Sequence, residues 1–189
     1  MAQSLGASRK DLVLRAAATE TEVKRLPLSS NRVIAFATHG AIAGEIKGLA
    51  EPALVLTPPK EPTELDDGLL TASEIAQLKL DADWVILSAC NTAAADGTPG
   101  AEGLSGLAKA FVYAGARTLL VSHWPVASVP TVAITTRMLR ESMKPGIGRA
   151  EAHRLSMLAY LADPANRKYI HPAYWAPFVV IGEGGISGR

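Results

Sequence analysis

The stretch Trp84-Val85-Ile86-Leu87-Ser88-Ala89-Cys90-Asn91-Thr92 is the most informative part of this 189-residue chain. Its first four residues are apolar, and a run of this length predicts a buried strand rather than a core helix. Cys90 follows the run and is the single cysteine of the chain. A similar run, Val33-Ile34-Ala35-Phe36, precedes Ala37-Thr38-His39-Gly40. A histidine and a cysteine, 51 positions apart (39 to 90), therefore each follow a predicted strand.

Predicted helices alternate with predicted strands along the chain. Apolar runs predict strands over residues 32–38, 53–56, 84–88, 117–122 and 177–181. Capping residues and amphipathic spacing predict helices over residues 19–26, 71–78, 104–114, 129–143 and 149–161, and residues 40–48 are predicted to form a loop. Because the central strands are apolar throughout, we expect both faces of the sheet to be covered. The sequence therefore predicts an α/β fold, a three-layer sandwich with a mostly parallel sheet and helices on both faces.

The carboxyl ends of the predicted strands bring chemically active residues to one edge of the sheet. His39, Cys90 and His123-Trp124 all follow strands, and functional residues gather at this edge in parallel sheets. An imidazole near a thiol favours the thiolate, which is the nucleophilic form. The pair therefore predicts a nucleophile, Cys90, and a base, His39. The N–H groups of Gly40 and Cys90 are candidates for holding a developing oxyanion.

These residue types also have structural interpretations. The thiol fits a small buried apolar residue, and His39 fits a strand-end histidine bonded to a loop carbonyl. His123 is a competing imidazole, whereas Trp124 fits a pocket wall or a core position better than a catalytic role. The remaining histidines, His153 and His171, have no evident partner in the sequence, which indicates structural or surface roles.

Composition and motifs argue against several classes of function. The chain is 48% hydrophobic and 20% charged, as is typical of globular domains. Its formal net charge of +1 and the lack of basic runs mixed with aromatics argue against nucleic acid as a partner. No apolar stretch approaches the roughly 20 residues that span a bilayer, so we expect no membrane insertion. Metal-ligand spacing and phosphate-binding loops are absent from the sequence, so we expect no metal and no cofactor. A single cysteine fits a cytoplasmic location.

Several motifs, in order and at matching spacing, resemble those of the CHAT domain family. The resemblance runs from about residue 18 to residue 185. It rests chiefly on Phe36-Ala37-Thr38-His39-Gly40, Asp67-Gly68-Leu69-Leu70-Thr71-Ala72-Ser73-Glu74-Ile75, Leu87-Ser88-Ala89-Cys90-Asn91-Thr92, Trp124-Pro125-Val126 and His171-Pro172-Ala173-Tyr174-Trp175-Ala176-Pro177-Phe178. CHAT domains are caspase-like modules often found beside tetratricopeptide repeats. The resemblance implies a caspase-like fold and a cysteine peptidase dyad, with Cys90 as nucleophile and His39 as acid–base.

The chain departs from the family pattern at two places. Asn91 stands where CHAT sequences often carry Glu, and Ala127-Ser128 stand where acidic residues are common. Both departures concern substrate preference rather than the dyad. Asp67, Asp96 and Glu102 are candidates for an acidic pocket floor, but they equally fit solvated loop charges, so no substrate-binding residue is assigned.

The leading functional prediction is a caspase-like cysteine endopeptidase that hydrolyses peptide bonds in a protein or peptide substrate. The alternative is a latent or non-catalytic interaction module of a larger regulatory protein, with a tetratricopeptide-repeat region or a regulator as partner. Another Cys-His acyl transfer, such as hydrolysis of a small amide, is also compatible with the residues. We expect an N-terminal segment over residues 1–18, the domain itself over 19–185 and a tail over 186–189.

Overall fold

Strands and helices alternate along residues 6–63, 65–88 and 106–186, which are those that the computed structural model describes. The strands in these ranges are β1 (Val33–Phe36), β2 (His39–Ala41), β3 (Ala53–Val55), β4 (Leu69–Thr71), β5 (Trp84–Leu87), β6 (Thr118–Ser122) and β7 (Phe178–Gly182). The α-helices are α1 (Glu20–Arg25), α2 (Ala72–Gln77), α3 (Gly106–Tyr113), α4 (Ser128–Ser142) and α5 (Arg149–Ala162). Short 3-10 helices lie at Arg9–Asp11, Arg15–Ala17, Leu28–Ser30, Pro164–Tyr169 and Pro172–Tyr174.

The main sheet has the strand order β1-β5-β6-β7. β5 lies parallel to both β1 and β6, whereas β7 runs antiparallel to β6. Every residue of β5 and of β6 is buried, which explains why these strands are continuous apolar runs in the sequence. The prediction of an α/β fold with a mostly parallel sheet is confirmed.

Helices cover both faces of the main sheet. Successive side chains of a strand point to opposite faces, and β5 divides its residues accordingly. Val85 and Leu87 lie in a buried apolar cluster with residues of α2 and α3, including Ile75 and Phe111. Trp84 and Ile86 lie in a second cluster with residues of α4 and α5, including Ile134, Met138 and Ala152. The molecule is thus a three-layer sandwich, as the sequence predicts.

A second, smaller sheet corrects the sequence prediction. β2, β3 and β4 form an antiparallel sheet in which His39 is opposite Val55 and Val55 is opposite Leu69. The predicted strand over residues 53–56 is present as β3 but belongs to this sheet. The prediction that residues 40–48 form only a loop is wrong at Gly40 and Ala41, and β4 was not predicted. β2 and β4 lack the continuous apolar run that marks β3, because β2 contains Gly40 and β4 ends at Thr71, the residue that caps α2.

The boundaries of the helices follow from local capping. The Thr19 side chain accepts a hydrogen bond from the Glu22 N–H at the start of α1. Thr71 and Glu74 form a reciprocal capping box at the start of α2, as their spacing predicts. Among the described residues, no helix combines the length and the apolar character needed to cross a membrane.

Candidate functional site

The pairing of β1 with β5 sets the geometry of the candidate site. Residues 51 apart stand opposite each other along the whole pair, from Val33 and Trp84 to Phe36 and Leu87 (84 − 33 = 51; 87 − 36 = 51). The Ser88 N–H donates to the Phe36 carbonyl at 2.9 Å and extends the pairing by one step. The two parallel strands therefore end side by side at one edge of the main sheet.

The spacing of the two candidate catalytic residues matches this register. His39 and Cys90 are also 51 apart, and each lies three positions beyond the Phe36–Leu87 pair. Cys90 itself lies outside the described residues, as do Asn91, Asp96 and Glu102. The ends of β1 and β5, which precede His39 and Cys90, are adjacent. The position of the Cys90 thiol beside His39 stays a prediction.

His39 follows β1, and it also begins β2, which was not predicted. Only Ala37 and Thr38 separate it from the last residue of β1, so it stands where the chain passes from the main sheet to the second sheet. Its side chain is exposed, and within the described ranges the imidazole makes no hydrogen bond or ion pair. The Thr38 hydroxyl, which is half-buried, donates to the Val55 carbonyl. Gly40, the predicted oxyanion donor, stands opposite Leu54 in the ladder.

The carboxyl end of β6 carries a partly exposed aromatic residue. The Trp124 side chain is 39% exposed, and its indole N–H donates to the Ala173 carbonyl at 3.0 Å. The backbone N–H of His123 donates to the Pro177 carbonyl at 3.0 Å, and its side chain is exposed. Because β5 lies between β1 and β6, these residues flank the end of β5 on the side opposite His39.

The two remaining histidines have local structural roles. His153 is 6% exposed, and its Nε2 lies 3.1 Å from the Phe178 carbonyl oxygen. Burial lowers the pKa of His153, so its ring favours the neutral form. His171 caps the 3-10 helix Pro172–Tyr174, because its Nδ1 accepts a hydrogen bond from the Ala173 N–H at 3.2 Å. Neither arrangement indicates a catalytic role.

A charged cluster around the buried Glu20 joins α1 to α2 and was not predicted from the sequence. Glu20 is 1% exposed, and Lys24 forms ion pairs with both Glu20 and Glu74. The Lys24 ammonium also donates to the Leu65 carbonyl at 3.0 Å. Burial raises the pKa of Glu20, and the neighbouring carboxyl of Glu74 adds to this rise. Burial opposes ionisation of Glu74 as well, but hydrogen bonds from Lys24 and Thr71 hold its pKa below the usual value.

Asp67 belongs to the segment beside this cluster rather than to a pocket floor. Its carboxylate accepts a hydrogen bond from the Leu69 N–H at 2.8 Å, and its own N–H donates to Glu20 at 3.2 Å. The side chain is exposed. These bonds give Asp67 a turn-forming role, which agrees with the solvated-charge interpretation.

The groove found among the described residues does not include His39. A groove of about 670 Å³ runs between the end of α1 and α2, and neither His39, Gly40 nor Trp124 lines it. In the part of the chain that the structure describes, no three His, Cys, Asp or Glu residues are arranged to hold a metal ion.

Comparisons with known proteins agree with the motifs and the fold. A family model described as "CHAT domain" matches residues 1–183. The protein named tetratricopeptide repeat protein 28 from Mus musculus is 33% identical over 117 residues, which are 60% of this chain and 4% of that protein. The protein of the same name from Homo sapiens is 31% identical over 121 residues, or 62% of this chain and 4% of that protein. The chain thus matches a region of about 4% of the length of these relatives.

Proposed function

The chain belongs to the CHAT domain family, and on that basis we propose that it is a caspase-like cysteine endopeptidase acting through Cys90 and His39. The observation that carries the proposal is the register of β1 and β5. These strands end side by side, and their 51-residue offset equals the separation of the proposed nucleophile and base. Ser88 is bonded to Phe36, and only Ala89 separates it from the thiol in sequence.

The proposed reaction is peptide-bond hydrolysis through a thioester. His39 takes the proton of the Cys90 thiol, and the resulting thiolate attacks the carbonyl carbon of the peptide bond. His39 then gives that proton to the leaving amine as the carbon–nitrogen bond breaks. Water then adds to the thioester, His39 takes a proton from that water, and the thiol is released with the carboxylic acid. The N–H groups of Gly40 and Cys90 would stabilise the oxyanion in both steps.

The surroundings of His39 support this role. Its exposed imidazole has no hydrogen-bond partner among the described residues, so the ring is available to a substrate. On the other side of β5, the partly exposed ring of Trp124 would form an apolar wall held by its bond to Ala173. A peptide lying across the end of β5 would therefore contact a base on one side and an aromatic wall on the other.

The test uses a mixture of peptides derived from a whole proteome, with new N-termini identified by mass spectrometry. We expect the wild type to produce a recurring sequence motif at its cleavage sites. Cys90→Ala and His39→Ala should each reduce cleavage by about 10³-fold or more. Glu151→Gln, which removes only an exposed ion pair with Arg154, is the control and should cleave as the wild type does. Equal cleavage by the wild type and Cys90→Ala would refute the proposal.

A second candidate, a latent or non-catalytic interaction module, is favoured by the comparisons. The matched relatives are named for tetratricopeptide repeats, and the matched region is about 4% of their length. A repeat region or a regulator would then be the partner that holds or activates the domain. Because the chain has one cysteine, alkylation by iodoacetamide measures Cys90 alone. An activated thiol should react at about pH 6.5 much faster than free cysteine, whereas a rate equal to that of free cysteine would favour the non-catalytic module.

A further inference from the structure

Thr38 occupies the two-residue link, Ala37-Thr38, through which the chain passes from the main sheet to the second sheet. On one side of the link, the Phe36 carbonyl accepts a hydrogen bond from the Ser88 N–H at 2.9 Å. On the other side, the Thr38 hydroxyl donates to the Val55 carbonyl. Val55 is the residue opposite His39 in the ladder between β2 and β3. The link is therefore tied to β5 on one side and to β3 on the other, immediately before His39.

This bond matters because the imidazole of His39 has no orienting partner of its own in the described parts of the chain. Catalytic histidines are commonly oriented by a carboxylate or a carbonyl that binds the second ring nitrogen. Here no hydrogen bond or ion pair of that kind is present among the described residues. Among the described residues, the ring is therefore held only by the backbone that carries it.

We propose that Thr38 is a positioning residue for His39, which it serves by fixing the backbone of the link to β3. This inference rests on the proposed peptidase function for its consequence in catalysis, although the positioning itself can be measured without turnover. A small displacement of a base can cost about 100-fold in rate, because proton transfer requires hydrogen-bond geometry. Substrate binding does not require the same alignment, so the effect should fall on kcat.

Thr38→Val tests the proposal because it keeps the β-branched shape and removes only the donor. Thr38→Ser keeps the donor and should restore the wild-type behaviour. Thr57→Val is the matched control, since the Thr57 hydroxyl also donates to a backbone carbonyl, that of Arg15, at 2.8 Å. Thr57 lies two residues beyond β3 and is not part of the link.

Two measurements are compared across these variants. The first is the NMR signal of the His39 imidazole, which is readily assigned because the chain has four histidines. We expect this signal to shift or split in Thr38→Val and to stay unchanged in Thr38→Ser and Thr57→Val. The second is turnover of a peptide that the wild type cleaves. We expect kcat to fall by at least about 10-fold in Thr38→Val with KM within about 3-fold of the wild type, and to be retained in the other two variants.

The outcomes separate this inference from the proposed function. An unchanged His39 signal in Thr38→Val, or an unchanged kcat, would overturn the positioning role and leave the peptidase proposal intact. A loss of kcat of the same size in Thr57→Val would also overturn it, because the effect would then be general destabilisation. If the wild type cleaves no peptide while the His39 signal still changes only in Thr38→Val, the positioning role stands and the peptidase proposal fails.

Discussion

Gly115 ends α3 in a backbone conformation that residues with side chains rarely adopt. Its φ angle is +111°, and a Cβ atom at this position would lie 2.3 Å from the Leu80 carbonyl oxygen. The Gly115 N–H donates to the Val112 carbonyl, and the Ala116 N–H donates to the Phe111 carbonyl. This pair of bonds is the Schellman arrangement. The glycine thus closes the helix and also allows it to contact the segment that leads into β5.

Replacing Gly115 should therefore lower the free energy of unfolding more than replacing a glycine that has a positive φ but no close neighbour. We expect Gly115→Ala to lower the free energy of unfolding by about 3 kcal/mol, since backbone strain and a collision with Leu80 combine. Gly146 is the control, because its φ is +78° and a Cβ atom there would meet no other atom within 4 Å. Gly146→Ala should cost about 1 kcal/mol. Urea denaturation of both variants measures the difference, and equal losses would contradict the proposed collision.

The sequence predicted part of this arrangement. A glycine after an amphipathic run is a local signal, and it correctly indicated that α3 ends just before Gly115. The contact with Leu80 depends on how α3 packs against a segment 35 residues earlier (115 − 80 = 35). Local patterns carry no information about such contacts, so the steric requirement became evident only from the tertiary structure.

At the scale of elements, the ion pairs of Lys24 connect α1 to α2. Lys24 is bonded to Glu20 of its own helix and to Glu74 of α2, and Glu20 accepts a hydrogen bond from the Asp67 N–H. The two carboxyls differ in environment, because Glu20 is almost completely buried and Glu74 also receives hydrogen bonds from Thr71. Their pKa values are consequently shifted in opposite directions.

These opposite shifts predict opposite dependences of stability on pH. The pKa of Glu20 is raised, so the folded protein holds a proton that the unfolded chain releases, and its contribution to stability is lost as pH rises above about 4.5. The pKa of Glu74 is lowered, so its contribution is present above about 4.5 and is lost as pH falls. We therefore expect the stability advantage of the wild type over Glu20→Gln to shrink as pH rises above about 4.5, and its advantage over Glu74→Gln to shrink as pH falls below about 4.5.

Urea denaturation at several pH values measures both trends. Each variant is compared with the wild type at the same pH, so that the titration of other groups cancels. Parallel pH profiles for Glu20→Gln and the wild type would contradict a raised pKa for Glu20. If the stability difference from the wild type changed with pH in the same direction for both variants, the two pKa values would not be shifted in opposite directions.

Elements differ in how far the sequence could predict them. β5 and β6 were predicted because every residue in them is buried, so that each strand contains a continuous apolar run in the sequence. β2 and β4 have three residues each and contain no repeating pattern to detect. The antiparallel direction of β7 follows from the path of the chain after α5, which hydrophobic periodicity does not encode.

At the scale of the whole molecule, the register between β1 and β5 explains why the candidate site was partly predictable. The apolar runs before His39 and Cys90 predicted two strand ends at one edge of the sheet, and the 51-residue separation of the two residues is also the offset between the paired strands. The placement of His39 at the start of the second sheet was not predictable, because it depends on pairing between β2 and β3. The bond from Thr38 to Val55 escaped detection for the same reason.

An ion-pair network around the buried Asp83 and Arg149 joins α5 to the edge of the main sheet at which β1 and β5 begin. Asp83, just before β5, is 6% exposed and lies 3.1 Å from Arg149, which is 3% exposed and begins α5. Arg32, just before β1, also pairs with Asp83 at 2.6 Å. Glu183 is the second anion near Arg149, at 3.3 Å, and its side chain is 62% exposed. The Asp83 carboxylate, just before β5, therefore links the start of β1 to the start of α5. Arg149 extends this connection to Glu183, just after β7.

Removing the Asp83 carboxylate should destabilise the whole molecule, because the Arg149 guanidinium would stay buried and the solvent-exposed Glu183 would be its one remaining counter-ion among the described residues. We expect Asp83→Asn to lower the free energy of unfolding by about 3 kcal/mol. Glu151→Gln is the control, since it removes an exposed pair with Arg154 and should cost less than about 0.5 kcal/mol. Adding Arg149→Met to Asp83→Asn should recover part of the loss, because no buried cation then remains. A loss below about 1 kcal/mol in Asp83→Asn, or a further loss in the double variant, would show that the network contributes little to joining these layers.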